Sequence, residues 1–598
     1  MKQKEKTGYA EFIELLRYTK GYRGQIYLAW VLCAIEVACE VLIATFSQNA
    51  VDTVEEATVS GVMNWGSLWL WCGLMSGLAV LSCVCGVVAG FAASTASGGY
   101  GKNLRAEMYR KIQTYSFSNI DRFSSASLIT RLTTDVSNVQ FSVQAILRTI
   151  VRAPMMLIFA FVMAMVKEWR LGLIFLALVP FLGVVLFSVA NVVHPTFVRV
   201  FEEYDELNAS VQENLNGIRV VKSFGREDFE NQKFNKVSNL IYRGFLRAER
   251  ILAFNSPALQ FSVYVAMLLI SWLGARLIVA SGNIEPGFTT GKLTSMFSYV
   301  MQILNSLNMV SMAFVMITIS RNSAERIEEV LMEVPTIQEP ANPVMEVPNG
   351  QIDFNHVSFR YHEEASKDVL HDIDLHFPSG STIGIMGATG SSKSTLVSLL
   401  ARLYDVTEGS VCIGGHDVRD YNIKVLRDSV SYALQKNVLF TGTIRSNLLW
   451  GNENATEEQL LQAVHLACAD EFISKMPKGL DSPIEEGGTN VSGGQRQRLC
   501  IARALLKNPR VLVFDDSTSA VDTHTDSLIR ERMKALLPAV TKIIVSQRVL
   551  SIKECDFILL LDDGKILALG NHEQLMKSSE AYQELVETQL GGGDFDGE

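Results

Sequence analysis

One stretch of the sequence combines residue types that bind phosphate groups. The segment GATGSSKST, from Gly387 to Thr395, follows an apolar run and precedes a helical pattern. A strand, a glycine-rich loop and a helix in this order form a phosphate-binding loop, in which backbone N–H groups at the helix N-terminus hold the phosphates. We expect the Lys393 ammonium to reach the β- and γ-phosphates and the Ser394 hydroxyl to bind Mg²⁺. The segment therefore predicts a nucleotide and Mg²⁺ as cofactors.

A serine interrupts the glycine pattern of this loop. Ser392 stands directly before Lys393, at the place where the phosphate-loop pattern has a glycine. If the backbone there needs a positive φ, the serine costs about 1 kcal/mol, which weakens nucleotide binding without abolishing it.

Two segments further along the chain suit the same ligand. An apolar run ends in Asp515 and Asp516, whose carboxylates are placed to bind a metal ion at the end of a strand. The segment Ser492–Gln495 (SGGQ) precedes a helical run and forms a second anion-binding surface, with an ordinary Ser-Gly turn as the alternative. Two such surfaces, far apart in one chain, predict a nucleotide held between two domains.

Six long apolar runs occur before about residue 321. A bilayer core of about 30 Å needs roughly 20 helical residues, and all but the third run reach that length. The third reaches it if Arg148 and Arg152 extend to a membrane face. The alternative, six buried helices of a large soluble core, is disfavoured because soluble helices seldom run this long without charge. The runs are Ile26–Phe46, Leu68–Ala93, Ala153–Val166, Leu171–Val193, Phe254–Ala280 and Leu293–Ile319.

Charge in the connections predicts the orientation of these spans. Lys and Arg concentrate in residues 94–144 and 194–250, whereas residues 48–66 contain neither. The two basic connections and both termini are therefore expected in the cytoplasm. Both connections have helical periodicity, so the spans should continue as helices beyond the membrane. No cleavable leader is expected, and the start of the chain, around Phe12, should lie along the membrane surface.

Shifts in composition divide the chain into five parts. We predict a cytoplasmic lead-in (1–24), a membrane domain with six spans and long helical extensions (25–321), a linker (322–350), an α/β domain (351–590) and a flexible acidic tail (591–598). Only 19% of the 598 residues are charged and the net charge is -10, which argues against a nucleic-acid binder that relies on a basic surface. Nine cysteines without a C-x-x-C pair exclude a disulfide framework and a zinc ribbon.

Together these motifs resemble the ATP-binding cassette (ABC) transporter family over nearly the whole chain. The resemblance implies an exporter-type half-transporter, in which six transmembrane helices are fused to one α/β P-loop nucleotide-binding domain that uses ATP and Mg²⁺. The segments Asp121–Asp135 and Gly217–Glu227 resemble those that carry coupling helices. The resemblance also implies a dimer in the bacterial cytoplasmic membrane, with membrane lipid and small amphipathic substrates as further partners and no nucleic acid.

The family pattern extends the predicted site. Tyr361 matches the aromatic residue that stacks on adenine, Gln435 matches the glutamine that contacts Mg²⁺, and Ser519–Asp522 matches the D-loop. The implied metal ligands are Ser394, Gln435 and Asp515. The implied nucleotide-binding residues are Tyr361, Gly387, Thr389, Gly390, Ser391, Ser392, Lys393, Ser394, Thr395, Gln435, Ser492, Gly493, Gly494, Gln495 and Asp522.

The two catalytic positions depart from the family pattern. Asp516 stands where the family has its catalytic glutamate, and Gln547 replaces the switch histidine. Aspartate is one methylene shorter than glutamate, and a misplacement of about an ångström can cost about 10²-fold in rate. Glutamine can hydrogen-bond a γ-phosphate but cannot become cationic near neutral pH. Together the two substitutions predict ATP binding with slow hydrolysis.

An intact signature beside altered catalytic positions predicts an unequal pair of subunits. The chain most resembles the degenerate-site subunit of bacterial heterodimeric multidrug exporters, whose partner half-transporter has the intact glutamate and histidine. Ser492–Gln495 would then complete the competent site. An active homodimeric exporter of lipid or peptide, which tolerates both substitutions, remains an alternative. Two others are an importer of metal chelates with the same fold and a nucleotide-gated regulator or channel.

Polar residues within the predicted spans mark a candidate substrate cavity. Glu36 and Glu40 lie on one helical face of the first span. One interpretation is that they attract cationic substrates or couple to protons, and the other is that they pair with a basic residue or lie near water. Gln302 and Asn305 in the last span alternate with methionines, a pattern that suits a permissive pocket.

Overall fold

A computed structural model describes residues 15–283, 287–361, 367–435, 437–516 and 521–590. The chain forms two compact units. The first contains the chain up to Gln113 together with Ser125–Glu333, and the second contains Thr114–Ser124 together with the chain from Val334. Phe12, Ser519, Ala520 and the predicted tail lie outside the described residues.

Long helices dominate the chain up to Glu333. Arg131–Asp135 and Ile146–Ile150 are π-helical turns within a continuous helix over Ser125–Lys167. A short 3₁₀ turn, Leu16–Thr19, comes first. The α-helices are α1 (Arg23–Ser60), α2 (Trp65–Gln113), α3 (Phe117–Phe123), α4 (Ser125–Thr130), α5 (Val136–Ala145), α6 (Val151–Lys167), α7 (Trp169–Asn216), α8 (Ile218–Ser223), α9 (Glu227–Leu252), α10 (Asn255–Ser281) and α11 (Thr290–Met332).

The predicted membrane spans correspond to α1, α2, α6, α7, α10 and α11. Within the described residues, α7 contributes a shorter apolar stretch, Trp169–Val185, and the last predicted run lies in α11. Glu168 alone separates α6 from α7, which agrees with the tight turn expected there. Four helical segments are apolar and long enough to cross a membrane by length and composition, namely Arg23–Thr58, Trp65–Gln113, Ser125–Lys167 and Glu227–Ser281.

The helices of the first unit pack around an apolar interior and carry apolar side chains on their outer faces. Phe175, Ile270 and Tyr299 are fully buried in this interior. Trp69 and Phe91, in contrast, are each 72% exposed on α2. Apolar outer surfaces of this kind are typical of helices that face lipid or another subunit.

The last helix of the first unit is longer than the sequence analysis predicted. It continues to Met332 because Ile327 and Val330 are fully buried, and because Arg326 donates a hydrogen bond to the Asp135 carboxylate at 2.8 Å. The linker start predicted at residue 322 is therefore wrong by about three helical turns. The glutamate-rich composition that suggested a linker there belongs to a helix.

Two β-sheets form the frame of the second unit. Among the described residues its strands are interspersed with helices, as the sequence predicted, and two 3₁₀ turns occur, Gly479–Asp481 and Glu486–Gly488. The strands are β1 (Ile352–Phe359), β2 (Leu370–Phe377), β3 (Thr382–Met386), β4 (Glu408–Ile413), β5 (His416–Asp417), β6 (Val430–Ala433), β7 (Gly442–Thr443), β8 (Pro483–Ile484), β9 (Val511–Asp515), β10 (Thr541–Val545), β11 (Phe557–Asp562) and β12 (Lys565–Gly570). The helices are α12 (Lys393–Ser398), α13 (Ile423–Ser429), α14 (Ile444–Leu448), α15 (Glu457–Leu466), α16 (Asp470–Ile473), α17 (Gly493–Leu505), α18 (Thr523–Leu536), α19 (Val549–Ile552), α20 (His572–Ser578) and α21 (Glu580–Leu590).

The larger sheet brings the ends of its parallel strands to one edge. Its order is β12-β11-β3-β10-β9-β6, and all neighbours except β11 and β12 are parallel. Val545 pairs with Ile385 on one side and with Asp515 on the other. The phosphate-binding loop, Gln435 and Gln547 therefore follow the carboxyl ends of neighbouring parallel strands, where α/β sheets bind ligands. An antiparallel sheet, β2-β1-β4-β5, shares a core with β3, through Phe354 among others.

Short helices occur in or beside both segments expected to carry coupling helices. Helix α3 begins before the predicted start at Asp121 and belongs to the second unit. Asn119 on α3 donates to the Val334 carbonyl at 3.2 Å and accepts from the Thr336 N–H at 3.3 Å. Helix α8 lies within the other predicted segment, in the first unit.

Candidate nucleotide-binding site

The loop between β3 and α12 is tight and holds its lysine over the backbone. Lys393 Nζ donates to the carbonyls of Gly387 at 2.9 Å and Ala388 at 2.8 Å, and to Ser391 Oγ at 3.3 Å. A Cβ at Gly387 would overlap the Leu561 carbonyl oxygen, so only glycine permits this close approach. The loop therefore places one cation at the N-terminus of a helix, the arrangement that a phosphate group needs.

Ser392 adopts a backbone conformation with positive φ, in which a serine costs more free energy than a glycine. Its φ is 71° and its ψ is 22°, which is left-handed helical space. A side chain there clashes with the local backbone and costs roughly 1 kcal/mol relative to glycine. The loop is formed with this strain present.

The residues proposed as metal ligands lie together. Ser394 Oγ donates to Asp515 Oδ1 at 2.8 Å, and Gln435 lines the same cavity of about 320 Å³. A hydroxyl, a carboxylate and an amide oxygen are hard donors of the kind that Mg²⁺ prefers. This donor set fits Mg²⁺, which would supply charge to neutralise the phosphates.

Both altered catalytic positions line this cavity as well. Asp516 follows β9 with a φ of 47°, and its N–H donates to the Val545 carbonyl at 3.0 Å, which ties it to β10. Gln547 follows β10 and is exposed. The predicted residues that line the cavity are Thr389, Gly390, Ser392, Lys393, Ser394, Thr395, Gln435, Asp515, Asp516 and Gln547.

Burial shifts the ionisation of the charged groups in this cavity. It raises the pKa of the Asp515 carboxyl and of the Asp516 carboxyl, although Lys393 acts in the opposite direction on both. It lowers the pKa of the Lys393 ammonium, against the attraction of the two carboxylates. Partly desolvated charges of both signs in one cavity are typical of a functional site.

Tyr361 lies beside the phosphate-binding loop rather than in the cavity. Its hydroxyl is 2.8 Å from Thr395 Oγ1, and its ring is 39% exposed. The ring contacts Phe359 and Tyr404 edge to face, with centroids 4.9 Å and 5.2 Å away. Stacking of this ring on adenine stays a prediction.

The signature segment lies away from this cavity, as a site shared between two domains requires. Ser492 caps α17: its Oγ accepts from the Gln495 N–H at 3.3 Å, and Gln495 Oε1 accepts from the Ser492 N–H at 3.0 Å. Gly493 follows in an exposed position, and Gly494 is half-buried. Exposed N–H groups at the start of this helix suit an anion brought by another chain.

Asp522 caps α18 through the Thr525 N–H at 2.9 Å, a bond that lowers the pKa of its carboxyl.

The carboxylates predicted in the first span pair with an arginine. Arg152 Nη1 lies 3.2 Å from Glu36 Oε1, and Arg152 Nη2 donates to Glu40 Oε1 at 2.6 Å. The Arg152 guanidinium is thus held between two carboxylates, and its extension to a membrane face, which would give the third span its full length, stays a prediction. Gln302 Nε2 donates to the Glu40 carbonyl at 3.2 Å. These contacts support the structural interpretation of the two glutamates.

Two cavities adjoin this cluster. One, of about 690 Å³, is lined by Glu36, Glu40 and Arg148 among others. The other, of about 350 Å³, is lined by Glu40, Arg152, Gln302 and Asn305. The four residues predicted for a substrate cavity therefore lie around one ion cluster.

The partners of three residues near these sites could not be assigned from the sequence. Tyr404, Arg152 and Gln589 lie outside any phosphate-binding motif, and each has a partner more than 30 positions away along the chain. A polar residue within an apolar run was the only available signal, and it identified the two glutamates that pair with Arg152.

Comparison with known proteins supports this arrangement along most of the chain. Residues 26–316 match the family model described as the ABC transporter transmembrane region, and residues 370–519 match the family model described as ABC transporter. These two regions contain the six helices that correspond to the predicted spans and the phosphate-binding loop.

Several bacterial proteins are similar over almost their full length. The uncharacterized ABC transporter ATP-binding protein YfiB of Bacillus subtilis is 34% identical over 557 residues, which is 92% of this chain and 96% of that protein. The ATP-dependent lipid A-core flippase of Yersinia pestis is 28% identical over 592 residues, which is 99% of this chain and 100% of that protein.

A solved structure has the same fold. The structure described as a bacterial Atm1-family ABC exporter with ATP bound superposes with a TM-score of 0.80 at 22% identity, and the match covers 95% of this chain and 98% of that chain. The similarity in sequence, the helical membrane unit and the P-loop domain agree, and the chain therefore belongs to the ABC transporter family, as a transmembrane region fused to a cytoplasmic nucleotide-binding domain with an exporter fold.

Proposed function

We propose that this chain is one half of a heterodimeric ATP-driven exporter of amphipathic compounds in the bacterial cytoplasmic membrane. In this pair it binds ATP at a degenerate site and supplies an intact signature to the competent site of its partner. The observation that carries the proposal is the single cavity that contains Lys393, Asp516 and Gln547.

The residues of this cavity suit binding better than hydrolysis. Lys393 and the N-terminus of α12 are placed for phosphate, and Ser394, Gln435 and Asp515 are placed for Mg²⁺. The carboxylate that would orient a water is the shorter aspartate at 516, and the side chain at 547 cannot carry a proton at neutral pH. ATP should therefore stay bound at this loop for longer than at a site with glutamate and histidine.

The intact signature of this chain supports a partner subunit with different catalytic residues. Ser492 and Gln495 form a complete capping box at the start of α17, and the glycines that follow leave backbone N–H groups open to a second chain. A homodimer would join two such signatures to two slow sites. A partner with glutamate and histidine would instead form one competent site, completed by this signature.

Transport then follows from differential affinity. ATP favours the state in which two nucleotide-binding domains are joined, and it can shift the equilibrium only by the amount by which it binds that state more tightly. Hydrolysis at the competent site releases the pair, and the coupling helices transmit the change to the spans.

A purification series tests the proposal. The chain expressed alone should bind ATP and show little ATPase activity, whereas co-expression with a half-transporter that carries glutamate and histidine at these positions should give a stable complex and restore turnover. Transport into inside-out vesicles should require both chains. Rapid ATP turnover by the lone chain would refute the heterodimer.

A lipid is the second candidate substrate. Similarity to a lipid A-core flippase over 99% of this chain favours it. Lipid-stimulated ATPase activity of the complex without stimulation by amphipathic drugs would support this alternative.

A further inference from the structure

The segment after β10 carries one of the altered catalytic positions into the nucleotide cavity, and within the segment the Arg548 N–H donates to Ser546 Oγ at 3.0 Å. Ser546 continues the sheet through its N–H, which donates to the Ile385 carbonyl at 3.1 Å. The next residues turn into the short helix α19, whose N-cap residue, Arg548, makes no side-chain capping hydrogen bond. The first N–H of α19 therefore needs a partner from elsewhere.

Gln589 supplies this partner from the far end of the chain. It lies on α21, where its Oε1 accepts from the Val549 N–H at 2.8 Å and its Nε2 donates to the Gln547 carbonyl at 2.8 Å. One amide group thus bonds the backbone on both sides of Arg548. The two bonds satisfy a carbonyl and an N–H as a neighbouring strand would.

We infer that Gln589 is a positioning residue of the nucleotide site, which holds the switch segment 546–549 in place through its backbone. The inference rests on the proposal that the Lys393 loop binds ATP. Because both of its recorded bonds are to backbone atoms, Gln589 acts whatever side chain occupies position 547. It fixes the place of Gln547 at the cavity and of the adjacent Arg548.

The consequence is a link between the C-terminal helix and nucleotide affinity. A segment that must be ordered when ATP binds lowers the affinity, and a segment that is already ordered does not. With a histidine absent at position 547, the backbone bonds of Gln589 carry more of this ordering. Loss of both bonds should weaken ATP binding at this loop roughly fivefold.

The test compares variants of the full-length protein in detergent or nanodiscs. Equilibrium binding of Mg·ATP gives the dissociation constant, and amide hydrogen exchange gives the order of residues 546–552. Gln589→Ala should raise the dissociation constant and speed exchange in that segment, with little effect on residues 382–395. Gln589→Glu keeps an acceptor for the Val549 N–H but turns the donor to the Gln547 carbonyl into a second acceptor, so it should also raise the dissociation constant and speed exchange in that segment. Glu587→Ala, on the same exposed turn of α21, is the matched control and should change neither.

The outcomes separate this inference from the proposed function. If the wild-type protein binds ATP and Gln589→Ala binds it equally well, the inference is wrong and the proposed site stands. Faster exchange throughout the second unit would also overturn it, since Gln589 would then only stabilise the fold. If the wild-type protein does not bind ATP, the proposed function fails. Unchanged exchange at residues 546–552 in Gln589→Ala would then overturn the positioning role of Gln589 as well.

Discussion

Two residues of the nucleotide site carry backbone conformations that side chains rarely adopt. Ser392 has a φ of 71° and Asp516 has a φ of 47°. Aspartate is among the residues that tolerate positive φ, because its short polar side chain can bond locally, whereas serine has less compensation. The strain at Ser392 is thus a cost that this loop bears and that the glycine of the usual pattern avoids.

The strain at Ser392 can be isolated with two substitutions. Ser392→Gly should tighten ATP binding up to about fivefold, because glycine adopts the binding conformation of the loop without the roughly 1 kcal/mol that a side chain costs at this φ, so the free loop populates that conformation more fully. Ser392→Ala removes the hydroxyl but keeps the Cβ, so it should bind ATP about as the wild type does. Equilibrium ATP binding by the three proteins measures the effect. Equal affinities for the glycine and alanine variants would mean that the φ of this residue has no bearing on binding.

Much of the nucleotide site could be predicted at this scale because its residues follow one another in short motifs. The loop from Gly387 to Thr395 and the pair Asp515 and Asp516 each occupy a strand end, and strand ends of a parallel sheet meet. Gln589 and Arg152 could not be predicted, because their partners are set by how distant helices pack, and a single sequence does not contain that information.

At the scale of elements, an ion cluster joins helices α1 and α6. Glu36 is 6% exposed and shares Arg152 with Glu40 across the two helices. Two carboxylates and one guanidinium in a poorly hydrated place are stabilised only while all three are present. The sequence predicted that the glutamates needed a partner or a cavity, and the structure provides both.

Removal of the arginine should destabilise the packing of these helices. Arg152→Met leaves the buried carboxylate of Glu36 and the partly buried carboxylate of Glu40 without a cation, which costs up to about 3–5 kcal/mol. We expect a strong loss of folded protein and a lower melting temperature in detergent. The triple variant with Glu36→Gln and Glu40→Gln removes the unpaired charges and should recover most of the loss. A melting temperature of Arg152→Met equal to that of the wild type would show that the ion cluster does not stabilise the fold.

Tyr404 attaches helix α3 to the nucleotide-binding domain. The Tyr404 hydroxyl donates to Asp121 Oδ2 at 2.7 Å, and the Tyr404 ring lies 6.0 Å from Phe117 and 5.2 Å from Tyr361. Burial raises the pKa of Tyr404, and the bond to Asp121 raises it further, so the hydroxyl stays protonated and remains a donor at physiological pH. The predicted adenine-binding tyrosine and the predicted coupling helix thus contact the same ring.

The contributions of the hydroxyl and the ring of Tyr404 can be separated. Tyr404→Phe keeps the ring and loses one hydrogen bond, so the docking of α3 should weaken by about 1 kcal/mol. Tyr404→Ala should weaken it more, because the aromatic contacts are lost as well. Hydrogen exchange at residues 114–124 measures the docking. If both variants exchange there at the wild-type rate, Tyr404 does not hold α3 in place.

In the molecule as a whole, the presence of a membrane unit and a nucleotide-binding unit could be predicted from the sequence, but the boundaries of the two units could not. The length of the apolar runs predicted the membrane spans, and the order of strand, loop and helix predicted the α/β unit, because both features depend on local sequence pattern. The end of α11 was misplaced since buried Ile327 and Val330 are separated by glutamates that resemble a linker. The assignment of residues 114–124 to the second unit depends on tertiary contacts alone.

We propose that this chain's own nucleotide site binds ATP but hydrolyses it slowly in the assembled transporter, where the signature of another chain would complete the site. The measurement must therefore observe this site alone within the pair.

The most direct measurement uses a complex in which the phosphate-loop lysine of the partner is replaced by alanine, so that turnover comes from this chain's site. Asp516→Glu combined with Gln547→His should raise the ATPase rate about 10²-fold over the unaltered chain, because the carboxylate regains its reach and the switch residue can carry a proton. Asp516→Asn should stay at the low starting rate. A fast rate with the unaltered chain, not exceeded by the double variant, would contradict the account.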